Sequence, residues 1–190
     1  MESLPRIVIA EDEAIIRMDL KEMLEEEGYN VVGEATDGET AVKLAEDNNP
    51  DLVILDIYMP GMDGLTAAAK IGEKELAAVL ILTAFSQRDL VEKAARSGAM
   101  AYLVKPFQKH DLVPAVELAI ARWAEARALA TESKDLNQRL EARKMVEKAK
   151  GKLMEKEGFS ESDAFRFIQK AAMRQRMAMK EVAEQILAQS

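Results

Sequence analysis

The chain has 190 residues, of which 48% are hydrophobic and 32% charged, a composition typical of folded globular proteins and not of disordered ones. It contains no cysteine, which excludes a disulfide framework and thiolate metal sites. No apolar run approaches the ~20 residues needed to span a bilayer, and the N-terminal residues lack the pattern of a signal peptide. We therefore expect a cytoplasmic protein without membrane contact.

Charge is distributed unevenly along the chain. Residues 1–136 carry 14 basic and 26 acidic side chains, a net charge of −12, whereas residues 137–190 carry 12 and 8, a net charge of +4. An acidic body followed by a basic tail predicts different partners for the two parts. Because a basic helical face can equally be a solvated surface, charge alone does not identify the partner of the tail.

The first ~120 residues alternate short apolar runs with longer amphipathic stretches. The apolar runs predict strands at Arg6–Ala10, Asn30–Glu34, Asp51–Leu55, Val79–Leu82 and Met100–Val104. The stretches between them predict helices at Ala14–Glu27, Gly38–Asn48, Leu65–Gly72 and Gln87–Ser97, and a fifth that begins near Asp111. Strand–helix units of this size predict a doubly wound parallel sheet with helices on both faces.

The fifth helix has almost no break signal as far as about Lys156, since Pro114 falls in its first turn, where proline is tolerated. Its apolar residues follow 4-3 spacing at Leu112, Val116, Ala119, Trp123, Ala126 and Ala130. We expect the start of this helix to pack on the sheet. The later part is either a coiled-coil seam or, at 131–135, a flexible joint.

Two shorter helices complete the predicted tail. Ser160 offers an N-cap for one that runs to about Arg174, and the last covers roughly Met179–Ala188 without a good capping residue. Three amphipathic helices of this size can bury one small core, to which the apolar pattern assigns Phe165.

Polar side chains follow four of the predicted strands. They are Glu11 and Asp12 after the first strand, Asp56 after the third, Thr83 at the end of the fourth and Lys105 after the fifth. In an open parallel sheet, ligands bind beyond the carboxyl ends of the strands, near the switch in strand order. The sequence therefore predicts one site at which three carboxylates, a hydroxyl and an ammonium meet.

Magnesium is the cation that this set of side chains favours. Crowded carboxylates repel one another unless a cation is present. Mg²⁺ prefers octahedral ligation by one or two carboxylates, retained waters and phosphate oxygens. We expect Asp12 and Asp56 to bind the ion directly, with Glu11 binding through water. The backbone carbonyl of Tyr58 would complete the protein ligands.

Asp56 can then act as a nucleophile towards a phosphoryl group and form an acyl phosphate. Lys105 and the metal would stabilise charge on the transferring group, and Thr83 would donate its hydroxyl to a phosphoryl oxygen. Each residue also has an ordinary structural explanation, such as a helix N-cap for Asp12 or a turn for Asp56. Because all of them fall at successive strand ends, we favour the joint functional interpretation.

Residues 4–121 resemble a two-component receiver domain. The matching motifs are Ala10-Glu11-Asp12-Glu13, Leu55-Asp56-Ile57-Tyr58-Met59-Pro60-Gly61-Met62-Asp63-Gly64, Leu82-Thr83-Ala84 and Val104-Lys105-Pro106-Phe107. The resemblance implies a flavodoxin-like fold with five strands and phosphotransfer from a histidine kinase to Asp56. It also implies a cis peptide bond before Pro106 and a switch role for Tyr102, for which a plain core or rim tyrosine is the alternative.

Two basic stripes mark the predicted tail. They comprise Lys144, Lys148 and Lys152 on the long helix and Arg166, Lys170 and Arg174 on the next, each at four-residue spacing. Such stripes suit a phosphate backbone, although a protein-binding face has the same pattern.

Residues from about 137 to 188 resemble the ANTAR domain of transcription antitermination regulators. The matching residues are Ala149-Lys150-Gly151-Lys152-Leu153-Met154, Asp163-Ala164-Phe165, Ala171-Ala172 and Glu181-Val182-Ala183. The usual polar cap before the third helix is missing, and Met177-Ala178-Met179 stands there instead. The resemblance implies binding of RNA hairpin loops in leader transcripts, where unstacked bases are accessible, and dimerisation to engage paired hairpins.

The sequence thus predicts a receiver domain at 1–121, a helical linker or coiled coil at 122–136 and an ANTAR-like RNA-binding domain with three helices at 137–190. The leading hypothesis is an antiterminator controlled by phosphorylation of Asp56. The alternatives are a tail that binds protein or controls dimerisation, and a DNA-binding output, for which no recognition-helix turn is evident. Because His110 is the only histidine and no P-loop is present, we do not expect an enzyme.

Overall fold

The computed structural model describes residues 4–84 and 97–188. Its strands are β1 (Arg6–Ala10), β2 (Asn30–Ala35), β3 (Leu52–Asp56), β4 (Ala78–Thr83) and β5 (Ala101–Val104). They pair in parallel in the order β2-β1-β3-β4-β5. This confirms the predicted doubly wound sheet of five strands, and the switch in strand order lies between β1 and β3.

The helices of this part are α1 (Ala14–Glu26), α2 (Gly38–Asn48), α3 (Gly64–Glu73) and α4 (Lys109–Glu157), which begins on the sheet. The helix predicted at Gln87–Ser97 falls, apart from its last residue, outside the described residues. The side chains of Asp37 and Asp63 cap α2 and α3, accepting hydrogen bonds from backbone N–H groups at 2.8 and 2.7 Å. Helix α1 begins after Glu13 without a side-chain cap, so Asp12 does not serve as one.

The central strands β1, β3 and β4 are buried on both faces of the sheet, which explains why their apolar runs are continuous. Alternate residues of a strand point to opposite faces. Val8 and Val53 belong to the core shared with α2 and α3. Ile9 and Ile54 belong to the core shared with α1 and the start of α4. From Ile7 in β1, Leu52 in β3 and Ala78 in β4, the central strands therefore carry only apolar side chains until they reach the edge of the sheet that the site residues follow.

Helix α4 packs on the sheet at its beginning, where Leu112, Val116 and Ala119 are fully buried. This confirms that the start of the 4-3 pattern faces the sheet. From Ala124 to Glu141 every residue is exposed, and the helix continues through 131–135, where a flexible joint was the alternative. None of the helices in the described ranges combines the length and the apolar character that a membrane span needs.

The chain divides into two compact units, Met1–Arg127 and Ala128–Ser190. The second unit contains the end of α4 together with α5 (Glu161–Gln175) and α6 (Met179–Ala188). The linker predicted at 122–136 spans this division, and its limits stay a prediction.

The three helices of the second unit bury one small core, as predicted. Its buried members are Val146, Ala149, Leu153, Ala164, Ile168, Ala172, Val182 and Ala183. The assignment of Phe165 to this core is wrong, because its side chain is 42% exposed, whereas Phe159 packs against the core. On α5 the buried line runs through Ala164 and Ile168, and Phe165 lies about 100° away from it around the helix.

Side chains satisfy backbone groups at both ends of α6, one from within the helix and one from α4. The side chain of Glu181 accepts a hydrogen bond from the N–H of Ala178 at 2.8 Å, which supplies the cap that the sequence pattern lacked. At the other end, the ammonium of Lys152 donates to the carbonyls of Ile186 and Leu187 at 3.0 and 3.2 Å. These are among the carbonyls that a helix leaves without an internal partner.

Gly64, at the start of α3, approaches β3 too closely for a side chain. A Cβ there would collide with the carbonyl oxygen of Asp56. Among the described residues, a Cβ at Gly72 in the same helix would meet the carbonyl oxygen of Ser97, at an ordinary contact distance of 3.9 Å. We expect Gly64→Ala to lower the free energy of unfolding of the first unit by about 1–3 kcal/mol or more. The control Gly72→Ala should leave it unchanged or raise it. Chemical denaturation followed by circular dichroism measures both, and equal midpoints would contradict the close approach.

Candidate functional site

The carboxylates of Glu11, Asp12 and Asp56 meet at the carboxyl ends of β1 and β3. One oxygen from each lies within 4.8 Å of the others. The two strands are neighbours, with Ala10 paired to Leu55, so strand pairing itself brings together the residues that follow. Glu11 is fully buried and Asp56 is 6% exposed, whereas Asp12 is exposed to solvent. The predicted acidic pocket is therefore deep on one side and open on the other.

The ammonium of Lys105 lies between two of these carboxylates. Its Nζ is 2.5 Å from Oε2 of Glu11 and 3.2 Å from Oδ1 of Asp56. The backbone N–H of Lys105 donates to the carbonyl of Thr83 at 2.7 Å, which holds the chain after β5 against the end of β4. The Lys105–Pro106 peptide bond is cis, as the resemblance implied. The ammonium that follows β5 thus links the carboxylates at the ends of β1 and β3.

Burial dominates the electrostatics of this site. It raises the pKa of both Glu11 and Asp56, and the hydrogen bond and charge of Lys105 oppose the shift without cancelling it. Burial lowers the pKa of Lys105, but its hydrogen bond to Glu11 and the charges of both carboxylates outweigh that effect and leave the pKa raised. The lysine therefore stays charged, and the two buried carboxylates still favour a further cation.

The acidic cluster fits Mg²⁺. Its three carboxylates supply the hard oxygen ligands that this ion prefers. Within the described part of the chain, Glu11, Asp12 and Asp56 form the group of acidic side chains that is arranged to hold a metal. The exposure of Asp12 leaves room for the water molecules that Mg²⁺ usually retains.

The remaining predicted residues of this site lie on β4, on β5 and after β3. Thr83 ends β4, is 3% exposed and pairs with Val104 in the sheet. Tyr102 pairs with Ile81, and this pair lies two residues before the pair of Thr83 with Val104. Because alternate residues of a strand share a face, Tyr102 lies on the same sheet face as Thr83. Its side chain is 49% exposed, which excludes a core tyrosine. The side chain of Tyr58 is 57% exposed, and the role of its carbonyl stays a prediction.

Arg17 supports the acidic turn, and the sequence analysis did not identify it. Its Nη1 donates to the backbone carbonyl of Glu11 at 2.6 Å, and its Nε lies 3.6 Å from the carboxylate of Glu34. Glu11 also accepts a hydrogen bond from the N–H of Glu13 at 3.2 Å. No sequence spacing marks an arginine in the first turn of a helix as part of a site. The position of Arg17 depends on Glu34, which the pairing of β2 with β1 brings beside it.

The predicted basic stripes of the second unit differ in how far their charges are already paired. Lys144 lies 2.8 Å from Glu141, and Arg166 lies 3.3 Å from Asp163. The stripe residues that are exposed and form no ion pair with another described residue are Lys148, Lys170 and Arg174. These side chains are the ones most readily available to an anionic partner.

Two other lysines of this unit support the fold. The ammonium of Lys150 lies 3.0 Å from Glu147 and 2.8 Å from Glu161, and its side chain is 9% exposed. Lys152, a member of the predicted stripe, donates to the carbonyls at the end of α6. A contact of Lys152 with RNA stays a prediction. The hydrogen bonds to the carbonyls of α6 disfavour it, because they already hold the ammonium.

Family models match both units. Residues 7–117 match the response regulator receiver domain, and residues 134–187 match the ANTAR domain. The chain is 60% identical over 182 residues to the transcriptional regulatory protein PdtaR of Mycobacterium tuberculosis, covering 96% of this chain and 89% of that protein. It is 40% identical over 112 residues to the chemotaxis protein CheY of Bacillus subtilis, covering 58% of this chain and 93% of that protein.

Solved structures match the receiver part. The signal receiver domain of the response regulator NarL from Mycobacterium tuberculosis has a TM-score of 0.61 at 34% identity, covering 63% of this chain and 98% of that one. A chain of the CheX–CheY–BeF3–Mg²⁺ complex from Borrelia burgdorferi has a TM-score of 0.56 at 31% identity, covering 58% and 85%. Family models, relatives and fold agree, and the chain therefore belongs to the response regulators that join a receiver domain to an ANTAR domain.

Proposed function

We propose that this response regulator accepts a phosphoryl group on Asp56 from a histidine kinase and then binds RNA hairpins in leader transcripts as a transcription antiterminator. The observation that carries the proposal is the ionic cluster in which Lys105 joins Asp56 to Glu11 beside the exposed Asp12. A receiver domain implies a kinase partner, and an ANTAR domain implies binding of RNA.

In the phosphotransfer step, a carboxylate oxygen of Asp56 attacks the phosphorus of a phosphohistidine on the kinase. An oxygen–phosphorus bond forms, the phosphorus–nitrogen bond breaks, and its electron pair returns to the imidazole. Lys105 already contacts Oδ1 at 3.2 Å, which leaves Oδ2 to attack. The ammonium also offsets the negative charge that develops on the transferring group.

Glu11, Asp12, Asp56 and the carbonyl of Tyr58 would hold Mg²⁺ in this pocket. When bound, the ion supplies charge neutralisation and orientation for the phosphoryl oxygens. The similar CheX–CheY complex is described with Mg²⁺ and BeF3, which supports the same ion here. The raised pKa of the buried Glu11 and Asp56 also favours a cation beside them, because a positive charge stabilises the ionised carboxylates.

The phosphoryl group would act as a switch through Thr83 and Tyr102. It adds negative charge and strong acceptor oxygens, which the hydroxyl of Thr83 can approach as a donor. Tyr102 lies on the same sheet face and is half exposed, so a shift of the threonine can change the surface that β5 presents. We infer that this surface change alters the assembly of the protein and thereby its affinity for RNA.

The ANTAR domain would supply the RNA contacts. Lys148 on α4, with Lys170 and Arg174 on α5, presents exposed charge that suits a phosphate backbone. Lys144 and Arg166 would join them by exchanging their present carboxylate partners for phosphates. Hairpin loops are favoured over duplexes, because loop bases are unstacked and can be read.

A homodimer through the linker helix is supported by a line of exposed leucines. Leu129, Leu136 and Leu140 are 59%, 58% and 51% exposed, at the spacing of seven and four residues that is typical of a coiled-coil seam. This line runs beside the one predicted through Ala126 and Ala130. The same observation favours the alternative function, in which the tail controls dimerisation and does not bind RNA.

Substitution of the acceptor tests the phosphotransfer. We expect Asp56→Asn to abolish transfer of radiolabel from a phosphorylated histidine kinase, because an amide cannot form the acyl phosphate. Asp63→Asn is the matched control, since Asp63 caps α3 and asparagine caps a helix equally well. Full labelling of the Asp56→Asn protein would overturn the assignment, and loss of labelling in both variants would indicate damage to the fold.

Magnesium should stabilise the receiver domain in thermal unfolding. At a concentration of ~100 times its Kd, an ion that binds only the folded state raises the free energy of unfolding by about 2.7 kcal/mol. Asp12→Asn should remove most of this gain, while the metal-free protein keeps its melting temperature, because Asp12 is exposed. An equal Mg²⁺ effect on the variant and the parent protein would argue against this site.

The magnesium effect should weaken as the pH falls. Burial raises the pKa of Glu11 and Asp56, so protons compete with the metal at higher pH than for ordinary carboxyls. In the metal-free protein the contribution of these two groups to stability has the opposite pH dependence. Because the folded-state pKa of each carboxyl lies above its unfolded value, ionisation lowers the free energy of unfolding near neutral pH. Acidification relieves this cost. Melting with and without Mg²⁺ at about pH 7.5 and about pH 5 measures both trends.

Charge reversal tests the RNA interface. Lys148→Glu and Lys170→Glu should each weaken binding to a pool of RNA hairpins with randomised loops and lower the salt slope by about 1. Lys43→Glu is the control, because it makes the same charge change at an exposed position of the receiver domain.

Filter binding over a salt series measures these effects, with duplex DNA as the competitor. If the phosphorylated parent protein does not bind the RNA pool and phosphorylation changes only its sedimentation coefficient, the dimerisation alternative is favoured. If duplex DNA displaces the RNA as well as hairpins do, a DNA-binding output is favoured.

A further inference from the structure

Arg17 on α1 connects the acidic turn after β1 to the neighbouring strand β2. Its Nη1 donates to the backbone carbonyl of Glu11 at 2.6 Å, and its Nε lies 3.6 Å from the carboxylate of Glu34 on β2. The N–H of Glu11 donates to the carbonyl of Ala35, the next residue of β2, at 3.1 Å. Both backbone groups of Glu11 are therefore held from β2, one directly and one through Arg17.

The hydrogen bond from Arg17 is made where the regular pairing of the strands has ended. Strands β1 and β2 pair as far as Ala10 and Ala35, and the carbonyl of Glu11 lies beyond that ladder. This carbonyl belongs to the planar peptide unit that links Glu11 to Asp12. Because the unit is rigid, a donor that fixes its oxygen restricts the direction in which the side chain of Asp12 leaves the backbone.

The two carboxylates of this turn differ in how far their own contacts fix them. Glu11 is fully buried, and its carboxylate is bound by the ammonium of Lys105 and by the N–H of Glu13. The side chain of Asp12 is exposed and accepts no hydrogen bond from any residue that the structure describes. The orientation of Asp12 therefore depends on its backbone, and the contact of Arg17 with the turn affects this carboxylate most.

Attachment of α1 to the sheet does not by itself explain Arg17. Lys21, one turn later on the same helix, already lies 2.7 Å from the carboxylate of Glu34, closer than Arg17 does. The link between α1 and β2 thus has a second cation, whereas the side-chain donor to the carbonyl of Glu11, within the described part of the chain, is Arg17. Arginine suits this double contact, because its planar guanidinium presents several donors in a fixed geometry.

We propose that Arg17 positions the magnesium site: by binding the carbonyl of Glu11, it holds the carboxylate of Asp12 in the orientation that receives the ion. This rests on the proposed function, since it presumes that the acidic pocket binds Mg²⁺. Arg17 is a positioning residue and not a ligand, because it acts through the backbone of the turn. Glu34 holds the guanidinium and offsets its charge, so that a cation in the pocket is repelled less.

The test compares the removal of Arg17 with the removal of Lys21, which carries the same charge and binds the same carboxylate. Arg17→Met should raise the Kd for Mg²⁺ about tenfold, as expected when a residue that orients a metal ligand is lost. Loss of a positive charge would by itself lower the Kd, so positioning and simple electrostatics predict opposite signs. Lys21→Met should therefore leave the Kd unchanged or slightly lower.

Isothermal titration of the full-length protein with MgCl2 measures the Kd, and circular dichroism shows that each variant is folded. Arg17→Lys should raise the Kd less than Arg17→Met, because one ammonium can bind the carbonyl of Glu11 or the carboxylate of Glu34 but does not span both. In the background of Asp12→Asn, Arg17→Met should add little further loss of affinity, because Arg17 acts through Asp12. Melting at a high Mg²⁺ concentration measures this weaker binding.

If the parent protein binds Mg²⁺ and Arg17→Met binds it equally well or more tightly, the positioning role is wrong while the proposed function stands. An equal loss of affinity in Lys21→Met would assign the effect to the attachment of α1 and would also overturn the proposal. A further tenfold loss in the Asp12→Asn background would do the same. If Arg17→Met does not fold, Arg17→Lys takes its place, and an unchanged Kd for that variant overturns the proposal. Failure of the parent protein itself to bind Mg²⁺ would overturn the proposed metal site, and this inference with it.

Discussion

The placement of one ammonium between two buried carboxylates underlies the chemistry of this protein. Glu11 and Asp56 come from the ends of adjacent strands, and each would be costly to bury as an isolated charge. Lys105 contacts both at 2.5 and 3.2 Å, and its own position depends on β5 lying beside β4. Because desolvation still outweighs this pairing for the carboxylates, the pocket remains suited to a further cation and to a nucleophilic aspartate.

The two domains use their charges in different ways. In the receiver domain a few charges are buried at one edge of the sheet, where a low dielectric makes each of them effective. In the ANTAR domain the lysines divide into two groups. Lys150 and Lys152 bind carboxylates or helix carbonyls and stabilise the small core, while Lys148 and Lys170 face solvent. A count of basic residues therefore overestimates the charge available to an anionic partner, and the contacts of each side chain decide its role.

The helical unit has little apolar area to bury, and its contacts reflect this. Its core is built largely from alanine and medium-sized aliphatic side chains, so the helices approach closely and the ends of α6 need partners. Glu181 and Lys152 supply them.

The sequence by itself determined the strands, most helix limits and the residues of the acidic pocket. Continuous apolar runs such as Leu52–Leu55 have few alternatives to buried strands, and parallel pairing must bring the residues after them to one edge. Tertiary structure decided the exposure of Phe165, the bond between Lys152 and α6, and the contact of Arg17 with Glu11. Periodicity gives the direction of a side chain only to within a fraction of a turn, and these contacts depend on how one element is rotated against another. That rotation follows from packing of the whole domain, which no local pattern records.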